Sequence, residues 1–242
     1  MMDKAAVRNG LSPDEMLARV LYRDGLMLVI DKPAGLPVHR GPKGGLSLED
    51  HFDALRYGLP RAPALAHRLD KDTSGCLVLG RHRKALAHLG LLFKHGKIGK
   101  TYWGVVEGSP DADQGTIDLA LGRLNDERGW WMKPDPHGLP SVTNWRVMGR
   151  AADRNLTWLA LEPVTGRTHQ LRVHCAAKGW PIVGDSIYGQ APRFNGPPLH
   201  LHAREVLVPI SKNRDAVRVT APVPAHMHDY LKACGWTGEP AN

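Results

Sequence analysis

From Arg19 onward the chain alternates short apolar runs with compact polar breaks, and that rhythm sets the element list. RVLY and LMLVI, on either side of Asp24-Gly25, read as two short strands around a tight turn, ended by Lys32, Pro33 and Gly35. Residues 41–45 form a Gly/Pro/Lys loop, and Ser47 is placed to cap a helix through LEDHFDAL. CLVLG (76–80) suits a buried strand, and Leu86, Leu89, Leu92 and Phe93 are spaced for one face of a helix over 84–94. Strand-like runs follow at 102–106, 141–148, 156–164 and 205–210, with 108–115 as a connecting loop. The pattern predicts a helix over 168–178, capped by Thr168 and stopped by Gly179, and another over 224–234, stopped by Gly235. Strands in runs with helices interspersed irregularly indicate an α+β fold rather than a strict βαβ repeat.

The first 16 residues lack sustained periodicity and read as a flexible lead-in, with Ser12-Pro13 able to start one helical turn. Residues 17–236 read as one domain, single or bilobed, and 237–242 as a tail, with no internal repeat, heptad or low-complexity tract. At 242 residues and 42% hydrophobic content the chain can close a substantial core. No apolar run approaches the roughly 20 residues that cross a bilayer, and the N-terminus lacks the apolar core of a signal peptide. Three scattered cysteines without a CxxC pair suggest neither a disulfide framework nor a zinc knuckle and fit a reducing cytoplasm. With 32 Lys+Arg against 24 Asp+Glu, the net charge of +8 favours a polyanionic partner.

Three constellations carry candidate chemistry. His67-Arg68-Leu69-Asp70, then Thr73-Ser74-Gly75, place a carboxylate beside an arginine on a loop at the mouth of a strand; the plain alternative is a solvated Asp/Ser/Gly turn. Lys100-Thr101-Tyr102 enters the next strand, where a tyrosine is ordinarily a packing residue with a bonded hydroxyl. Within 166–174, His169 and Arg172 are three apart and Gln170 and His174 four apart, crowding polar groups onto a helix beyond what amphipathicity needs. The histidine spacing is not that of HExxH, so no metal site is expected.

Taken in order, DKPAGLPVH (31–39), HRLDKDTSG (67–75), KTYWGVV (100–106), GRTHQLRVH (166–174), GDSIYG (184–189) and LHA (201–203) resemble the RluA family of RNA pseudouridine synthases, over roughly residues 19–222. The resemblance implies a mixed, largely antiparallel sheet with flanking helices and loops. It also implies a cofactor-independent isomerase acting on ribosomal or transfer RNA stem-loops. Asp70 matches the family's catalytic aspartate, Tyr102 its active-site tyrosine, and Arg172 the basic residue that pairs with the aspartate. Arg68 matches an arginine that helps fill the space left by a flipped nucleotide. Arg68, Lys71, Lys100 and Arg167 are the candidate RNA-binding residues nearest the motifs. Two departures stand out: the chain has too few residues before Arg19 for the accessory RNA-binding module of many relatives, and Gly104 sits where alanine is common.

The reaction breaks the bond between ribose and uracil nitrogen, turns the base and rejoins it through carbon 5. An ionised carboxylate serves as nucleophile on ribose or base, or removes a ribose proton to give a glycal. A nearby guanidinium favours that ionised form, and Tyr102 is a candidate to relay the proton leaving carbon 5 or to pack against the base. The target must leave its stack, at a cost of a few kcal/mol that is smaller in loops. A non-catalytic RNA-binding module and a hydrolytic N-glycosidase are the rival readings. The partner expected is RNA, with no membrane, metal or cofactor and a monomeric chain.

Overall fold

A computed structural model describes residues 10–41, 44–125, 130–153, 155–211 and 215–239. Most of the expected lead-in (1–9), half of the expected tail (240–242), and Pro42 and Lys43 of the basic loop lie outside the described residues. The chain divides into two compact units, Met1–Gly99 with Ala203–Pro222, and Lys100–His202 with Val223–Asn242.

In the first unit, Ser12 and Glu15 form a reciprocal capping box at helix α1 (Pro13–Leu17), the short turn expected there. Strands β1 (Val20–Arg23) and β2 (Met27–Lys32) pair antiparallel around the Asp24-Gly25 turn. The Asp24 carboxylate closes that turn by accepting the Leu26 and Met27 N–H groups at 2.7 and 2.8 Å. LEDHFDAL is a 3-10 helix (Leu48–Leu55) rather than an α-helix, with Ser47 and Asp50 in a capping box at its start. Strand β3 (Ala64–Leu65) pairs with β4 (Ser74–Gly80), which is followed by α2 (Arg83–Lys94). The strand order is β1-β2-β4-β11-β12, where β11 spans Leu201–Val208 and β12 Val217–Thr220. Met27, Val29, Cys76 and Val78 point into one core with Leu89 of α2. Leu28, Ile30, Leu77 and Leu79 alternate with them and are equally inaccessible. A strand buried on both faces needs a continuous apolar run, which is why CLVLG shows no alternation.

The second unit holds β5 (Gly99–Glu107, of which Gly99 belongs to the first), β6 (Gln114–Asp118), β9 (Val142–Arg150) and β10 (Leu156–Pro163), antiparallel in the order β5-β10-β9-β6. The expected loop at 108–115 is thus shortened by β6, whose QGTID has only one buried apolar side chain to betray a strand. A separate hairpin joins β7 (Leu121–Arg123) to β8 (Met132–Pro134). Successive residues of β10 divide between two cores: Leu159 and Leu161 pack with Leu171 and Cys175 of helix α3 (Gln170–Ala177), and Trp158 packs with Met227, Leu231 and Cys234. The C-terminal run is a 3-10 turn (Ala225–Met227) leading into α4 (His228–Ala233), and Gly235 follows at φ +93° as expected of a helix stop. The architecture is α+β, as the sequence pattern predicts.

Candidate active site

Asp70 sits on the loop between β3 and β4, in the first unit, and is partly buried between buried Leu69 and exposed Lys71. Three devices fix this loop. The His67 ring stacks on Phe93 at 4.3 Å, and its Nε2 accepts the Val78 N–H at 3.0 Å, so the histidine is a strut. Gly75 has φ +104°, and a Cβ there would lie 2.3 Å from the Ala203 carbonyl oxygen, so only glycine fits. Below the loop, Lys32 is wholly buried, and its ammonium donates to the carbonyls of Pro33, Lys71 and Thr73 at 2.8, 2.9 and 2.8 Å. The Lys71 carbonyl also accepts the Gly35 N–H, and Thr73 N–H donates to the Asp70 carbonyl, so the turn under the carboxylate is tied at several points.

Burial pushes the Lys32 ammonium down to about 7, against the nearby negative charges of Asp72, Asp70 and Asp31. Burial also raises neighbouring Asp31 to about 6, opposed by Arg19 and Lys32. Lys32 lies in DKPAGLPVH, and its charge next to an apolar strand was the sequence signal that it does more than end β2. The sequence reading missed it as a site-forming residue.

In the second unit, Arg172 is buried on α3, and its guanidinium forks onto Asp185 through Nε at 2.8 Å and Nη2 at 2.7 Å. Asp185 is itself buried and accepts the Ile187 and Tyr188 N–H groups at 2.9 and 3.0 Å. Burial acts to raise this carboxyl, but the Arg172 hydrogen bond and charge, with the two backbone amides, outweigh it and hold it below the usual carboxylate range. The Tyr188 ring faces the same guanidinium, 5.3 Å from Cζ to centroid, and its hydroxyl lies 2.7 Å from His169 Nδ1. The GDSIYG loop is therefore the cradle of the GRTHQLR helix. The motif by itself gives Asp185 and Tyr188 no role, because their partners are set by packing rather than spacing.

The start of α3 departs from expectation. Thr168 is not its cap; His169 is, in the left-handed region at φ 54° and without a side-chain capping bond. The polar crowding on this helix has two origins. Gln170 bridges Val142, Thr143, Thr165 and Arg167, and His174 bridges Thr143 and Leu119, so both are buried ties to β9 and its flanks. Arg172 alone among them carries a buried charge.

Tyr102 is partly buried on β5 opposite Leu161 and packs on the core that includes Leu159 and Leu201. Lys100 is partly buried at the start of the same strand, and burial lowers its pKa. Arg68 and Lys71 are exposed beside Asp70, whereas Arg167 is partly buried with Nε donating to the Pro140 carbonyl at 3.3 Å. A Cβ on Gly104 would meet Leu161 Cδ1 at 3.3 Å, so the departure from alanine is a matter of packing. Among the described residues no three His, Cys, Asp or Glu side chains gather as metal ligands, and no helix is long and apolar enough to cross a membrane.

The sequence profile of the family described as RNA pseudouridylate synthase matches residues 26–177, a span that contains Asp70, Tyr102 and Arg172. The chain belongs to the RNA pseudouridylate synthase family. It is 41% identical over 213 residues to an RNA pseudouridine synthase of Zymomonas mobilis, covering 87% of this chain and 96% of that one. It is 34% identical to the ribosomal large subunit pseudouridine synthase C of Vibrio cholerae, over 88% and 68% of the two chains. Among solved structures, human RNA pseudouridylate synthase domain containing 4 superposes with a TM-score of 0.76 at 26% identity, covering 92% of this chain and 95% of that one. The resemblance to pseudouridine synthases in sequence and the mixed, largely antiparallel α+β architecture are both borne out. As a pseudouridine synthase the chain is an isomerase acting on RNA. Asp185 and Tyr188 lie beyond the span that the family profile matches.

Proposed function

We propose that this synthase converts specific uridines of structured ribosomal or transfer RNA to pseudouridine, as a cytoplasmic monomer, with Asp70 as its catalytic carboxylate. The observation that carries the reading is the construction of the Asp70 loop. A buried ammonium binds three of the carbonyls around it, and Gly75 locks its exit, so a partly exposed carboxylate is held still. Such fixation is what a nucleophile or base needs to meet an extruded nucleotide in one orientation. A relative named for the large ribosomal subunit supports ribosomal RNA as the substrate. The three cysteines, all buried and free, support a reducing compartment.

In this reading Arg172 is the basic partner that the family resemblance implies for the catalytic aspartate, and the buried fork to Asp185 fixes the guanidinium plane. Tyr102 packs against the turning base; its seat on the apolar core supports that role over proton relay, for which a phenol near ~10 is a weak base. Arg68 and Lys71, exposed beside Asp70, together with Lys100 and Arg167, meet RNA phosphates.

The test is Asp70→Ala against an unmodified ribosomal RNA transcript, with pseudouridine counted by mass spectrometry and affinity measured in parallel. Turnover is expected to vanish while binding persists. Residual pseudouridine at the same site would overturn the assignment. Binding without conversion by the unaltered chain would favour a binding module, and free uracil with abasic RNA would favour a glycosidase.

A further inference from the structure

Of the chain's seven tryptophans, Trp130 alone is exposed among the described residues, with 56% of its surface open. It precedes β8 on the hairpin of the second unit and is not loosely held. Its ring meets Trp131 edge-on at 5.6 Å and His169 edge-on at 5.6 Å. Behind these, Arg193 lies over the Trp131 ring at 5.3 Å, and the Tyr188 hydroxyl accepts the Met132 N–H at 2.9 Å. Phe194, next to Arg193, is 85% exposed. The tryptophan is thus fixed by its neighbours and adds little to any core, since most of its area faces water.

We infer that Trp130 is a stacking platform for an unpaired nucleobase of the RNA substrate, an inference that rests on RNA being what this chain acts on. Charge selects the occupant: among the described residues of the hairpin the exposed charges are Arg123 and Lys133, with partly buried Asp135 just beyond β8, Arg193 stands over the neighbouring Trp131 ring, and the chain is +8 overall. An apolar protein surface would leave those cations without partners, whereas a nucleotide offers a π face and a phosphate together. The platform is also continuous with the candidate site. Trp130 touches His169, His169 bonds Tyr188, and Tyr188 faces the Arg172 guanidinium, so Trp130 is two ring contacts from the tyrosine that lies against Arg172. A substrate with an unpaired base near the target uridine would be preferred over a continuous duplex.

Affinity for labelled single-stranded oligouridine, and for an abasic ribose-phosphate strand of equal length, is measured with the full chain and with Trp130→Ala, Trp130→Phe and Asp70→Ala. Trp130→Ala is expected to weaken oligouridine binding about five- to 150-fold. Affinity for the abasic strand should barely change, and the slope of log affinity against log salt should stay the same because no phosphate contact is lost. Trp130→Phe should recover most of the affinity. The inference fails if Trp130→Ala binds oligouridine like the unaltered chain, or loses the abasic strand equally. Asp70→Ala separates the two ideas: it loses conversion and keeps stacking, so a failed platform leaves the catalytic assignment standing, and a failed catalytic assignment leaves the platform.

Discussion

Replacing Asp185 by asparagine is the sharpest probe of how the site is held. The carboxylate now takes four hydrogen bonds: Nη2 of Arg172 and the N–H groups of Ile187 and Tyr188 on Oδ1, and Nε of Arg172 on Oδ2. An amide whose oxygen keeps the Oδ1 position preserves three of these but turns an NH2 donor toward the Nε–H donor. Arg172, a residue only 4% exposed, also loses its buried counter-charge. Removing one partner of a buried pair typically costs about 3 to 5 kcal/mol, which for a chain of this size is a fall in Tm of roughly 6 to 20 °C. Replacing both partners in Arg172→Met/Asp185→Leu leaves no buried charge, and should recover at least half of the loss. The carboxyl's lowered pKa adds a pH signature. Its contribution is present above the ordinary value of 3.8 and lost as pH falls below it, so Asp185→Asn should lack that acid limb. Thermal melts of the two variants across pH provide the assay. An Asp185→Asn protein melting within about 2 °C of the unaltered one, or a double variant no better than the single, would refute the reasoning.

Lys32→Met removes the donor to three carbonyls but also the cost of burying the charge, which is what holds the ammonium down at about 7. The two effects nearly offset, so global stability should change by less than about 3 kcal/mol while single-turnover pseudouridine formation falls at least about tenfold; an unchanged rate contradicts the anchoring role. His200 is buried, donates from Nδ1 to the Pro198 carbonyl, and is held by burial at about 4 instead of 6.5. Between those values the unfolded chain binds the extra proton, so stability should fall as pH drops through that window, by up to about 3 kcal/mol, and denaturant midpoints of His200→Gln should lose part of that slope.

Much of the element list was legible because it depends on neighbours in the chain. The Asp24-Gly25 turn, the Ser12 and Ser47 caps, the apolar face of α2 and the Gly235 stop are all local chemistry. Strand β6 and the β7-β8 hairpin escaped because their few buried residues leave no periodic trace, and the 3-10 form of Leu48–Leu55 escaped because both helix types share caps and similar periods.

The sequence by itself determined which residues stand beside each other in the motifs, and the ordered blocks from DKPAGLPVH to LHA were enough to place the chain in its family. Folding decided what those residues touch. Nothing in the spacing of GRTHQLRVH distinguishes Arg172 from Gln170 or His174, yet packing made two of them ties to β9 and left the third a charge gripped by Asp185. Nothing in DKPAG says that Lys32 turns inward to hold the Asp70 loop, and no period in the chain says that Trp130 stays in water while six other tryptophans are wholly or partly covered. Hydrogen-bond partners and burial are properties of surfaces brought together from distant parts of the chain, and period and propensity carry no record of them.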